Sequence, residues 1–223
     1  MAYRYLGNKT TLVDWIVGVI SSNVPAGAVV ADPMCGTAAV SEALAIQGFS
    51  VIAADALRFP TIHASACLLI KEEPRFEQFG GYTATLKVLN DLEPQEGYFY
   101  KEFGSKGCPA NREMPRLYFS SENAGKIDAI RGFIRNKYAE GKLTELEHIA
   151  LLQGLLLAVN GVANISGTYG YFLSHLSKNA LKPIELTPLS FINTPKEHRV
   201  MQGPVASTVS QFNADAVYLD PPY

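Results

Sequence analysis

Two periods alternate along the first third of the chain. From about residue 9 to 21, Leu12, Ile16, Val19 and Ile20 recur at helical spacing. Pro25-Ala26-Gly27 interrupts them as a turn. Ala28-Val29-Val30-Ala31 is then an unbroken apolar run, which predicts a strand covered on both faces, as in a parallel sheet. A helix is expected from about Ala38 to Gln47, with Gly48 as its stop. Ser50-Val51-Ile52-Ala53-Ala54 is a second buried strand closing at Asp55. Two such strands around one helix form a βαβ unit, whose right-handed crossover makes them parallel neighbours.

Between about 60 and 160 the pattern is of helices and loops, with little strand signal. Ile127, Ile130 and Ile134 mark one amphipathic helix; Leu146, Ile149, Leu152 and Leu156 mark another. Thr144 followed by Glu147 is the capping-box spacing expected at the second helix's start. Residues 93–116, rich in Gly, Pro, Tyr and charge, read as an irregular excursion. Strand signal returns at about 198–202 and at Ala216-Val217-Tyr218-Leu219. The expected architecture is α/β: a sheet domain from residues 1–75 and 196–223, interrupted by a largely helical insertion, 76–195. A doubly wound sheet ordinarily has more strands than these four. The sheet is therefore expected to be incomplete at its C-terminal end, with further strands missing or supplied by another chain.

Composition changes little in this picture. No run approaches the ~20 apolar residues of a membrane span, and the N-terminus has no signal-peptide core; a cytoplasmic location is the expectation. Cys35, Cys67 and Cys108 form no paired spacing, and His63, His148, His175 and His198 are scattered. Neither a disulfide framework nor a metal site is expected. The net charge of −2 lends no support to a DNA-coating protein, although a local basic face suffices for DNA binding.

The sharpest chemical signal is Asp220-Pro221-Pro222-Tyr223, directly after a buried strand. The exocyclic amine of a base is a poor nucleophile, because its lone pair is delocalised into the ring. A carboxylate and a backbone carbonyl that each accept one amine hydrogen localise that pair. Asp220 offers the carboxylate and Pro221 the carbonyl, while the two prolines stiffen and preorganise the loop. Tyr223 offers a ring for stacking on a base taken out of the duplex. By itself the tetrapeptide also reads as a Pro-Pro turn capping a strand.

Two further motifs point to a nucleoside-containing cofactor. In Asp32-Pro33-Met34-Cys35-Gly36-Thr37-Ala38 an acidic strand end meets a glycine turn that opens onto a helix N-terminus. Asp55, about 20 positions after the glycine turn, suits a ribose-hydroxyl ligand, or simply a strand-end cap. There is no GxGxxG register, which disfavours a dinucleotide. In Tyr5-Leu6-Gly7-Asn8-Lys9 the lysine is placed either to meet an anionic group or to sit in solvent.

Together, in this order, these motifs resemble the α-group adenine-N6 DNA methyltransferases, the group that includes the Dam-type enzymes. The resemblance extends into the insertion, at Arg116-Leu117-Tyr118-Phe119-Ser120-Ser121-Glu122-Asn123, Lys126-Ile127-Asp128-Ala129-Ile130-Arg131 and Asn164-Ile165-Ser166-Gly167-Thr168-Tyr169-Gly170-Tyr171-Phe172-Leu173, which look like segments of restriction-modification members. It implies a Rossmann-like S-adenosylmethionine-dependent methyltransferase sheet with a mainly helical target-recognition insertion. S-adenosylmethionine would be the cofactor and double-stranded DNA the partner, with no metal and no covalent enzyme intermediate. It also implies roles. Tyr5 and Lys9 would contact the methionine part of the cofactor, Asp32, Pro33 and Gly36 would line its pocket, and Asp55 would bind the ribose. Asp220, Pro221, Pro222 and Tyr223 would hold the target adenine.

The insertion would contact DNA. Lys101, Lys106, Arg112, Arg116, Arg131, Arg135 and Lys137 offer either a phosphate-facing surface or a solvated helical face. Tyr169, in its glycine-rich loop, is a candidate groove or orphan-base contact, or else a turn aromatic. Two positions depart from the family pattern: Ala38 replaces a second glycine, and Pro204 stands about where an aspartate reads the cofactor's adenine. Family members also continue past this tyrosine. The alternative readings are therefore a truncated or split-enzyme subunit, inactive and association-prone without a complementing polypeptide, or an amino-methyltransferase of cytosine N4 or RNA.

Overall fold

The computed structural model describes Arg4, residues 7–110 and residues 113–221. In chain order its helices and strands are α1 (Val13–Asn23), β1 (Val29–Asp32), α2 (Ala39–Ile46), β2 (Ser50–Asp55), α3 (Arg58–Leu69) and α4 (Tyr82–Asp91). They continue with α5 (Tyr98–Phe103), α6 (Ser121–Ala139), α7 (Glu145–Val162), β3 (Arg199–Gln202), α8 (Val205–Thr208) and β4 (Ala216–Val217). The described chain divides into two compact units. One takes Gly7–Glu73 and the chain from Ser190 onward; the other takes Arg4 and Pro74–Leu189.

The first unit is built on a four-stranded sheet in the order β3-β2-β1-β4, every pairing parallel. Val30 and Ala31 sit opposite Val51 and Ile52, so the two apolar runs of the sequence are the buried centre of the sheet. Leu44 and Phe49 from the α2 side and Ala64 and Leu68 from α3 complete its core. From β1 the chain steps to β2 and β3 on one side, then returns to lay β4 on the other side of β1. The place where strand order reverses, beside the C-terminal ends of β1 and β4, is where doubly wound sheets bind ligands. β4 is shorter than the expected Ala216–Leu219, although Tyr218 N–H still donates to Ala31 O at 2.8 Å. The period of two persists beyond it: Tyr218 packs on the core, while Val217 and Leu219 are exposed. α1 likewise starts later than expected, at Val13, after a turn closed by Leu12 N–H on Lys9 O.

The second unit is helical, with only isolated strand bridges among its described residues. Ile127, Ile130 and Ile134 of α6 are fully buried, as their spacing predicts. α7 carries the expected capping box: Thr144 accepts from Glu147 N–H and Glu147 accepts from Thr144 N–H. The buried face of α7 differs from the expected stripe, however. Leu151 and Leu155 are buried, while Leu146 is exposed and Leu152 and Leu156 are half-buried. The helix is apolar on most sides, so periodicity alone does not define which face is covered.

α5 was not expected, since residues 93–116 read as irregular. Its cap is tertiary. Asp128 of α6 accepts from the N–H groups of Phe99 and Tyr100, at 3.0 and 2.8 Å. That satisfies N-terminal donors no local side chain reaches. Gly97 is required beneath it, because a Cβ there would lie 2.6 Å from the Asp128 carboxyl carbon. Arg4 donates to Asn160 O in the last turn of α7 and to Ala163 O just beyond it at 3.1 Å.

Candidate active site

The site is assembled within the first unit, at the C-terminal ends of β1, β2 and β4. Asp32 closes β1 with 1% exposure. The chain then turns through Pro33, which is buried, to Gly36 and Ala38. Gly36 has φ +52 and Ala38 φ +58. Two left-handed residues so close together set the sharp entry into α2, and Ala38 takes that conformation at a cost of about 1 kcal/mol that glycine would avoid. The loop is pinned to β2, with Cys35 N–H donating to Ala54 O at 2.9 Å.

Asp55 pins it again. Its Oδ2 accepts from Gly36 N–H at 3.1 Å, and its Oδ1 accepts from Leu57 N–H at 2.9 Å. In this structure the carboxylate is therefore a strand-end cap that holds the glycine turn, with lone pairs left over for a further donor.

Asp32 differs in kind. Ser41 Oγ–H donates to its Oδ2 at 2.6 Å, while Oδ1 is buried with no hydrogen-bond partner. Burial pushes the Asp32 carboxyl up to about 7 against the opposing Ser41 bond, with Asp220 and Asp55 adding repulsion. The same surroundings raise the Cys35 thiol, mainly by burial. They raise Tyr218 as well, by burial first and then through Asp220 and Asp32.

Lys9 and Asp220, from opposite ends of the sequence, meet here: Lys9 Nζ lies 2.7 Å from Asp220 Oδ2. Lys9 also donates to Gly7 O at 3.1 Å. Asp220 follows the β4 segment that Tyr218 ties to Ala31, and Pro221 beside it is exposed. Lys9, the acidic strand ends and the first half of the Asp-Pro-Pro-Tyr motif thus share one end of one sheet. Tyr5, Pro222 and Tyr223, which the resemblance includes, lie outside the described residues.

The insertion's candidates lie in the second unit. Arg116 pairs with Glu102 at 2.9 Å, and Tyr169 accepts from Tyr118 Oη–H on its carbonyl at 3.0 Å. Arg112 lies outside the described residues. Two further residues take structural roles, of which Ser41 escaped sequence reasoning and His198 was expected only as a surface or packing residue. Ser41 is an ordinary helix position whose role appears only when α2 folds over β1. His198, buried before β3, accepts from Val51 N–H on Nδ1 and meets Thr194 on Nε2, so it serves the edge of the sheet. Among the described residues no three His, Cys, Asp or Glu side chains gather as metal ligands, and no helix is long and apolar enough to cross a membrane.

Known proteins are similar to this chain over nearly its whole length. It is 33% identical to the modification methylase LlaI of Lactococcus lactis subsp. lactis, over 99% of this chain and 35% of that protein. It is 32% identical to the type II methyltransferase M.FokI of Planomicrobium okeanokoites, over 99% of this chain and 34% of the relative. With the type II methyltransferase M.NlaIII of Neisseria lactamica the identity is 30%, over 99% of this chain and 64% of the relative. The chain thus spans about a third of the first two relatives and somewhat less than two thirds of the third. No solved structure gave a significant match. The family model of D12 class N6 adenine-specific DNA methyltransferases matches residues 5–223. The chain belongs to the D12 class N6 adenine-specific DNA methyltransferase family.

Proposed function

We propose that the protein transfers a methyl group from S-adenosylmethionine to the N6 amine of an adenine in double-stranded DNA, as the modification enzyme of a restriction-modification pair. The observation that carries this reading is the meeting of Lys9 and Asp220 beside the glycine loop. It puts Lys9 next to the carboxylate of Asp-Pro-Pro-Tyr. The relatives' names, modification methylase and type II methyltransferase, agree with the restriction-modification setting.

The residues present fit the cofactor. The buried, unpartnered Asp32 Oδ1 asks for a donor or a cation. The positive φ at Gly36 holds the backbone in a turn that leaves no side chain against a ligand. Asp32, Pro33 and Gly36 would line the pocket, Asp55 would accept from ribose hydroxyls, and Tyr5 and Lys9 would serve the methionine end. S-adenosylmethionine supplies a methyl group on a positively charged sulfur, ready for direct displacement.

The chain's own part is to prepare the amine. With Asp220 engaged by Lys9 through Oδ2 and neighboured by the Tyr218 hydroxyl, the carboxylate's remaining lone pairs would accept one amine hydrogen and the Pro221 carbonyl the other. The nitrogen lone pair would then be drawn out of the ring; as the N–CH3 bond forms, the S–CH3 electron pair would leave with the sulfur as a neutral thioether, and the amine would release one proton to solvent. Tyr223 would stack on the extruded adenine. The helical insertion, with Arg112, Arg116 and Tyr169, would contact DNA and select the site.

The test is nucleoside mass spectrometry of DNA from cells expressing the protein. N6-methyladenine should appear, and it should vanish with Asp220→Ala. N4-methylcytosine in its place, or no modified base from the protein in any context, would reject the reading.

A further inference from the structure

We propose that the second unit carries its own receptor for one unstacked DNA base: an open cleft of about 470 Å³ lined by Phe103, Arg116, Tyr118, Gly170, Tyr171 and Phe172. The proposal rests on the reading of the protein as a DNA-acting enzyme. The cleft lies wholly within the second unit, whereas Asp220, the acceptor-adenine residue, belongs to the first. Its volume falls in the range of small-ligand clefts.

The walls suit a flat aromatic ring. Tyr118 meets Phe103 edge-on at 5.7 Å and Phe172 at 5.1 Å between centroids. Tyr171 stands at the mouth with 83% exposure. Gly170 adds no side chain to the wall. Unstacked bases are held by such rings and by guanidinium planes. Arg116 supplies the guanidinium, 5.7 Å from the Phe103 ring centroid.

The charge pattern favours a base over a phosphate. Arg116 is already paired with Glu102 at 2.9 Å. Glu102 is itself fixed, since its other oxygen accepts from Ala110 N–H at 2.8 Å. A guanidinium so compensated adds little attraction for an anion, but keeps its flat face and its remaining N–H donors.

The walls are also held in place before any ligand arrives. Asn164 is fully buried and ties two of them together. Its N–H donates to Tyr118 O at 2.8 Å and its carbonyl accepts from Leu173 N–H at 3.0 Å. Its side-chain amide donates to Leu117 O, Leu173 O and His175 O, and accepts from Ser177 N–H. The third wall is joined by Phe119 N–H on Phe103 O at 3.1 Å. A rigid cleft loses little entropy when a ring enters.

The test compares binding of a short oligo(dT) and of an abasic strand of equal length by fluorescence anisotropy. The wild-type protein should bind oligo(dT) about tenfold tighter than the abasic strand. Tyr171→Ala, at an exposed position whose loss leaves the core intact, should erase that preference without changing abasic-strand affinity, and Tyr171→Phe should keep it. Equal affinity of the wild type for both strands, or a preference that survives Tyr171→Ala, overturns the base receptor while leaving the DNA reading standing. Binding of neither strand, nor of duplex DNA, overturns both.

Discussion

Lys9 Nζ lies 2.7 Å from Asp220 Oδ2, so the first motif of the chain holds the carboxylate of the last. The resemblance assigns Lys9 to the cofactor; in this structure its partner is the carboxylate proposed to accept the amine hydrogen. The two roles are compatible, because an ammonium has three donors.

The pair should behave as a unit. In chemical denaturation, Lys9→Gln, Asp220→Asn and the double variant should be non-additive, with a coupling of about 1 kcal/mol for a partly buried pair. Strict additivity would mean that the contact contributes nothing.

Asp32 gives a pH dependence of defined sign. Its folded value is raised to about 7 from an ordinary 3.8, chiefly by burial. Between those values the folded state holds a proton that the unfolded state has lost. The associated stability is complete below about pH 3.8, declines as pH rises, and is gone above about 7. Asp32→Asn should remove that decline while keeping the Ser41 contact. The variant should be more stable than wild type at pH 8, by on the order of a few kcal/mol, and differ less at pH 5. Denaturation midpoints that fall in parallel for both proteins would contradict it.

Asp55 should act through the glycine turn. Asp55→Ala strips the acceptors from the Gly36 and Leu57 N–H groups. A loss of about 1–3 kcal/mol in S-adenosylmethionine affinity is expected by calorimetry. An unchanged dissociation constant would leave Asp55 a strand cap and nothing more.

The sequence made some of this legible and hid the rest for physical reasons. Strands buried on both faces announce themselves as apolar runs, so β1 and β2 and the loops that follow them could be placed from Ala28–Ala31 and Ser50–Ala54 alone. The Thr144–Glu147 box is a local interaction and was equally visible. What stayed hidden is long-range. α5 exists because Asp128 caps it from another helix. The unpartnered oxygen of Asp32 exists because α2 folds over β1. The face of α7 was misplaced because leucines surround most of the helix. The join of Lys9 to Asp220 depends on β4 returning beside β1, which no spacing records.

Asn164 should be among the costliest residues to remove from the second unit. Asn164→Ala orphans three carbonyls and one N–H at a fully buried position. Denaturation should show a loss above about 2 kcal/mol, and protease should cut within 165–173 sooner than in wild type. A variant as stable and as resistant as wild type would mean that the loop is held by other means.

The most direct measurement is single-turnover transfer of labelled methyl from S-adenosylmethionine to DNA, comparing wild type with Asp220→Ala in preparations shown to bind the cofactor. The label should appear on adenine N6 with the wild-type protein, and the variant's rate should fall by about 100-fold or more, as for loss of a preorganised polar group at a reacting centre. A comparable rate from Asp220→Ala would show that this carboxylate does not accept the amine hydrogen, and the account of the site would fail with it.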